Sequence, residues 1–99
     1  MEPSSLKLAP EAELDIEDAF NWYENQQIGL GDRFLETLNA AFLKISHHPF
    51  TFRIWYHPYR GYLIPTFPYI ILYRTVGSEI HVLSVFHTSR NPKHWQELG

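Results

Sequence analysis

The hydrophobic pattern changes period once, at Pro49, and that change limits the folds open to this chain. Before it, apolar residues recur with a helical period. Ala12, Ile16, Ala19, Phe20 and Tyr23 fall at i, i+4, i+7, i+8 and i+11, and Phe34, Leu38, Ala41, Phe42 and Ile45 form a second stripe. Pro10 stands where a first-turn proline opens a helix, and Glu11, Glu13 and Asp15 read as first-turn acids favoured by the helix dipole. The stretch QQIGLGD, with two glycines, punctuates the pattern. The second stripe stops at SHHP, because a proline cannot continue a helix. Two helices joined by a short glycine loop predict an αα-hairpin.

After Pro49 the residues become β-branched and aromatic. FRIWYHPYRGYLIP is interrupted at His57-Pro58 and then offers a strand over about 59–64. FPYIILYRT is a near-continuous apolar run, the signature of a central strand buried on both faces. VGSE is a turn, and IHVLSVFH is the last strand. Residues 5–9, SLKLA, alternate weakly and suit an edge strand. The expected fold is α+β in the order β-α-α-β-β-β, with the αα-hairpin packed on one face of a small antiparallel sheet. The tail after Pro92 is too short for a helix of any strength.

Ninety-nine residues make one domain, 1–99, with a small core, so the aromatic content of 16% matters. There is no cysteine, hence no disulfide framework and no thiol chemistry. The first residues lack the basic-then-apolar pattern of a signal peptide, and no run approaches the ~20 apolar residues that span a bilayer. The expected location is cytoplasmic, with no membrane partner.

The net charge of −3 hides an uneven distribution. Residues 1–36 carry nine acids against Lys7 and Arg33. Residues 37–78 carry Lys44, Arg53, Arg60 and Arg74 and no acid at all. Such a split says more about partners than the sum does.

Several chemistries are poorly served. His81 and His87 share a strand parity but stand about 20 Å apart at ~3.3 Å per residue, and His47 and His48 point in different directions. With no H-E-x-x-H and no cysteine, no metal site is expected, and nothing calls for a cofactor. GLG lacks the preceding strand and following Lys-Ser/Thr of a phosphate loop. Ser84, Thr88 and Ser89 neighbour His87 without a G-x-S-x-G elbow.

What remains is a set of cations on the strands, Arg60, Arg74, His87, Arg90 and Lys93, interleaved with Tyr59, Tyr62, Tyr69, Tyr73 and Trp95. Arginine grips phosphate with a rigid fork, and aromatic rings stack on unpaired bases. Cleavage of RNA through its 2′-hydroxyl needs an acid or base such as His87 and cations such as Arg60 and Arg74 at the phosphate. The same residues also read as snorkelling side chains on an exposed sheet, with Trp95 as a lid on the core.

Taken together, APEAELDIEDAFNWYENQQIGLGDRFLETL, the arginine of YRGYLI, FPYIILYR and IHVLSVFHTSRNPKHW resemble the RelE/ParE superfamily, the toxins of type II toxin–antitoxin pairs. The specific parts are Ala12-Glu13-Leu14-Asp15, Trp22-Tyr23, the Phe-Pro-Tyr strand and a last strand ending His-x-x-Arg-x-Pro. The resemblance covers nearly the whole chain. It implies a toxin that arrests growth until a small antitoxin neutralises it, in a toxin–antitoxin hetero-oligomer. RelE-like members cleave mRNA on the ribosome without metal; ParE-like members inhibit DNA gyrase. By resemblance, Arg60, Arg74 and His87 are the catalytic candidates if the chain is a ribonuclease, and Tyr62, Tyr73, Arg90 and Lys93 the binding candidates. The acidic balance, and Thr88 where some nucleases have tyrosine, favour the ParE-like branch. An inactive, antitoxin-binding member is the third alternative.

Overall fold

The computed structural model describes residues 5–89. Pro10 begins α1 (Pro10–Gln26) after an extended Ala9, whose N–H donates to Val82 O at 2.9 Å. Glu11 and Glu13 lie in the first turn, as expected. Asp15 does not: it sits one turn further along, and its carboxylate turns to the sheet, where it accepts a hydrogen bond from Ser84. A carboxylate on the inner side of a helix finds buried donors more stabilising than the helix dipole.

The glycine loop is the hairpin connection. Gly29 holds a left-handed φ of 91° that favours glycine, and Glu24 accepts the backbone N–H groups of both Gly29 and Gly31 at 3.0 Å. A side chain of α1 thereby satisfies donors at the start of α2 (Leu30–His47). Phe34, Leu38, Ala41 and Ile45 bury the inner stripe, while Phe42 stays partly covered. The helix stops at His48, before Pro49, as the sequence requires.

Among the described residues five strands follow the order β1-β5-β4-β3-β2: β1 (Ser5–Leu8), β2 (Ile54–Tyr56), β3 (Tyr59–Leu63), β4 (Tyr69–Val76) and β5 (Glu79–His87). β4 lies at the centre, with residues 69–73 all buried, and β1 lies at an edge; both were expected. Two features differ from the sequence reading. The sheet is mixed, because β1 pairs with β5 in parallel, Leu6 beside Ile80 and Leu8 beside Val82. β1 runs into α1 through one residue, so it must end at the rim where α1 starts, and there β5 travels the same way. The second difference is β2, three exposed residues paired with β3 ahead of the His57-Pro58 break. So short a strand has no period of its own; its partner defines it.

The helices cover one sheet face. Tyr23 and Phe34 meet Phe67 and Tyr69 there, with ring centroids 4.9–6.1 Å apart in mostly edge-to-face arrangements. Ile71, Tyr73, Ile80, Val82 and Val85 complete this core. On the opposite face Ile70, Leu72 and Phe86 form a second, smaller buried cluster. No described helix is long and apolar enough to cross a membrane.

Candidate functional site

The strand cations do not share one surface. Arg60 stands opposite Tyr73 in the β3–β4 pairing, and the two act on the same stretch of chain. Arg60 Nη1 donates to Phe52 O at 2.7 Å, and its guanidinium lies 5.6 Å from the Phe50 ring centroid. Tyr73, fully buried, donates its hydroxyl to Pro49 O at 2.7 Å. Burial pushes the Tyr73 phenol up to about 12, an effect that Arg60 opposes. Together the pair clamps the α2–β2 connection to the sheet by two of its carbonyls.

Arg74 follows Tyr73 in the strand and therefore points to the opposite face. It is exposed, 5.9 Å from the Tyr59 ring, and stands across from His81. His87 lies at the far end of β5, opposite Tyr69 and edge-on to its ring at 5.3 Å. Its Nδ1 accepts the Ser89 N–H at 2.9 Å. Tyr69 and Tyr73 are four residues apart, about 13 Å along the strand. Arg60, Arg74 and His87 thus occupy two faces and two ends of the sheet. No phosphate could meet all three.

Tyr62 packs on Phe52 at 4.5 Å and lies 6.0 Å below Lys44 Nζ. It forms, with Pro65, the sheet side of an open cavity of about 440 Å³, with Glu36, Thr37, Ala40, Ala41 and Lys44 of α2 opposite. Arg90, Lys93 and Trp95 lie outside the described residues. Among the described residues no three His, Asp or Glu side chains come together as metal ligands would.

At the other sheet edge Glu79 bonds Lys7 Nζ at 2.9 Å and His81 Nε2 at 3.0 Å. Hydrogen bonds from Lys7 and then from His81 hold its carboxyl below the usual range. This pairing uses the cations nearest β1. By contrast Lys44, Arg53 and Arg74 are in no ion pair among the described residues. Arg53 and the exposed Phe50 and Trp55, none of them a candidate from the sequence, stand in or just before β2.

Comparison with known proteins gives a consistent picture. Residues 6–92 match the family described as "ParE toxin of type II toxin-antitoxin system, parDE". No curated protein matches the sequence significantly. Among solved structures, a chain of the chromosomal ParDE TA system from P. aeruginosa superposes with a TM-score of 0.76 at 15% identity, over 85% of this chain and 95% of that one. That likeness concerns the fold, while the family match spans nearly the whole sequence. By that match, this chain belongs to the ParE toxin family of type II toxin–antitoxin systems.

Proposed function

We propose that this chain arrests growth by acting on DNA gyrase in the cytoplasm, and that an antitoxin encoded with it binds and silences it. One observation carries the choice of target. A ribonuclease needs an acid or base and its phosphate cations around a single bond. Here Arg60 is committed to Phe52 O, Arg74 lies on the opposite face, and His87 sits at the far end of β4 and β5. The arrangement suits a protein that works by binding.

The test uses purified chain freed from its antitoxin. Relaxed plasmid and gyrase are incubated with it, and mRNA-programmed ribosomes are treated in parallel with the message ends mapped. The expected result is lost supercoiling and an intact message. Cleavage at ribosomal A-site codons with supercoiling untouched would replace the gyrase reading with the ribonuclease one. Failure of the expressed chain to arrest growth would point to an inactive, antitoxin-binding member.

A further inference from the structure

β2 is an edge strand held in place from several sides. Ile54, Trp55 and Tyr56 are 40–46% exposed, so the strand buries little of its own apolar surface. The Trp55 ring nevertheless lies against Gly61 of β3, with three ring atoms 2.6–2.8 Å from where a Cβ would stand, so only glycine admits it. The residues leading into β2 are fixed by the Tyr73 hydroxyl at Pro49 O and by Arg60 Nη1 at Phe52 O, both at 2.7 Å. Neighbours thus order this short strand in advance, and a preordered template loses little entropy when a partner joins it.

The outer edge of β2 presents backbone groups for pairing. In an antiparallel ladder a residue turns its N–H and C=O to the same side, and successive residues alternate. The Gly61 N–H donates to Arg53 O at 3.0 Å, so Arg53 and Trp55 address β3 while the N–H and C=O of Ile54 point outward. Sheet edges are often blunted by a charged residue or a proline. β1, at the other edge, carries Lys7, but Ile54–Tyr56 carries neither. Side chains flank this edge on both faces. Ile54 stands across from Arg60, whose guanidinium lies against the exposed Phe50 ring. On the opposite face Arg53 and Trp55 line one small cavity, and Arg53 is in no ion pair among the described residues.

A strand laid along this edge meets apolar side chains on one face and a cation on the other. A second copy of this chain fits poorly, because residues 37–78 hold no acid and two such edges would set cation against cation. An extended peptide that carries acids fits well. We propose that the outer edge of β2 takes an extended, acid-bearing segment of the antitoxin as an added strand. That segment hydrogen-bonds the Ile54 N–H and C=O, packs apolar side chains on Phe50 and Ile54, and sets a carboxylate against Arg53. The proposal rests on the antitoxin reading above and names the surface that this partner uses.

Amide hydrogen exchange followed by NMR tests it, with the full chain free and bound to the full-length antitoxin encoded with it. The Ile54 N–H should exchange freely in the free chain and slow by roughly a hundredfold or more in the complex. Ile54→Pro removes that donor at a position where an edge strand tolerates proline. It should weaken antitoxin binding roughly tenfold, as the loss of one hydrogen bond does, with a melting temperature close to wild type. Ile54→Val keeps the donor and should bind as the wild type does. Arg53→Glu should weaken binding and reduce its dependence on salt.

Ile54 exchange that is the same in the free chain and in the complex overturns the proposal, and this measurement decides by itself if Ile54→Pro fails to fold. A folded Ile54→Pro chain that binds at wild-type affinity does the same. So does Ile54 protection in the free chain that rises with its own concentration, which would make a second copy the occupant. The two readings fail separately. An antitoxin that binds and relieves growth arrest while Ile54 stays unprotected sinks this edge and leaves the antitoxin reading. An antitoxin that does not bind the chain at all sinks that reading, and this proposal with it.

Discussion

Asp15 of α1 and Ser84 of β5, 69 residues apart in the chain, share a hydrogen bond of 2.9 Å, and the same carboxylate oxygen accepts the Val85 N–H at 3.0 Å. The bond sits where β5 is irregular. Across from Leu72 and Tyr73 its register skips Leu83, so the ladder there is broken. A bulge strands backbone donors, and Ser84 is fully buried. Asp15 supplies the acceptor that β4 cannot.

Asp15→Ala should therefore be costly for a surface-helix substitution. It leaves a buried hydroxyl and a buried N–H unpaired, worth about 2–4 kcal/mol together. Thermal unfolding should shift down by roughly 10–20 °C in a domain of this size. A shift below about 3 °C would show that water replaces the carboxylate.

Tyr73 makes a pH-dependent contribution whose sign is set. Its phenol titrates higher in the folded protein, at about 12, than the ordinary value of 10. Folding thus favours the neutral form, and this stability is complete below pH 10 and lost as pH rises through about 12. Tyr73→Phe removes both the bond to Pro49 O and the titration. Below pH 10 the wild type should be more stable by about 1 kcal/mol. Between pH 10 and 12 that gap should narrow and then reverse. Denaturant melts of both proteins across that range measure it, and a gap independent of pH would refute the clamp.

Gly31 tests the hairpin. Helix propensity alone says that Gly31→Ala stabilises α2 by up to about 1 kcal/mol. The structure says otherwise, because a Cβ there would stand 2.8 Å from the Phe20 ring and 2.9 Å from Glu24 Oε1. Overpacking should win, with a net loss of about 1–3 kcal/mol in urea unfolding. A more stable variant would mean that the helices separate freely.

His87 separates binding from catalysis. His87→Ala removes an edge contact with Tyr69 and the acceptor for Ser89 N–H at a strand end, and the fold should survive. Growth arrest on expression should persist at the wild-type level. Arrest lost while antitoxin binding and melting temperature stay normal would make the imidazole a functional group.

The period change at Pro49, Pro10, the Gly29 loop and the apolar run of β4 are local signals, and they sufficed for the hairpin, the central strand and the order of every element but β2. Backbone preferences and side-chain periodicity act over a few residues, so they can be read one segment at a time. The parallel pairing of β1, the existence of β2, the turn of Asp15 toward β5 and the scattering of Arg60, Arg74 and His87 needed the tertiary structure. Each depends on which distant segment supplies a partner. Arg60 and Arg74 look alike on neighbouring strands, yet strand parity and register send one to the Pro49–Phe52 carbonyls and the other to the opposite face. Sequence alone determined the family and the elements other than β2; packing decided which side chains meet.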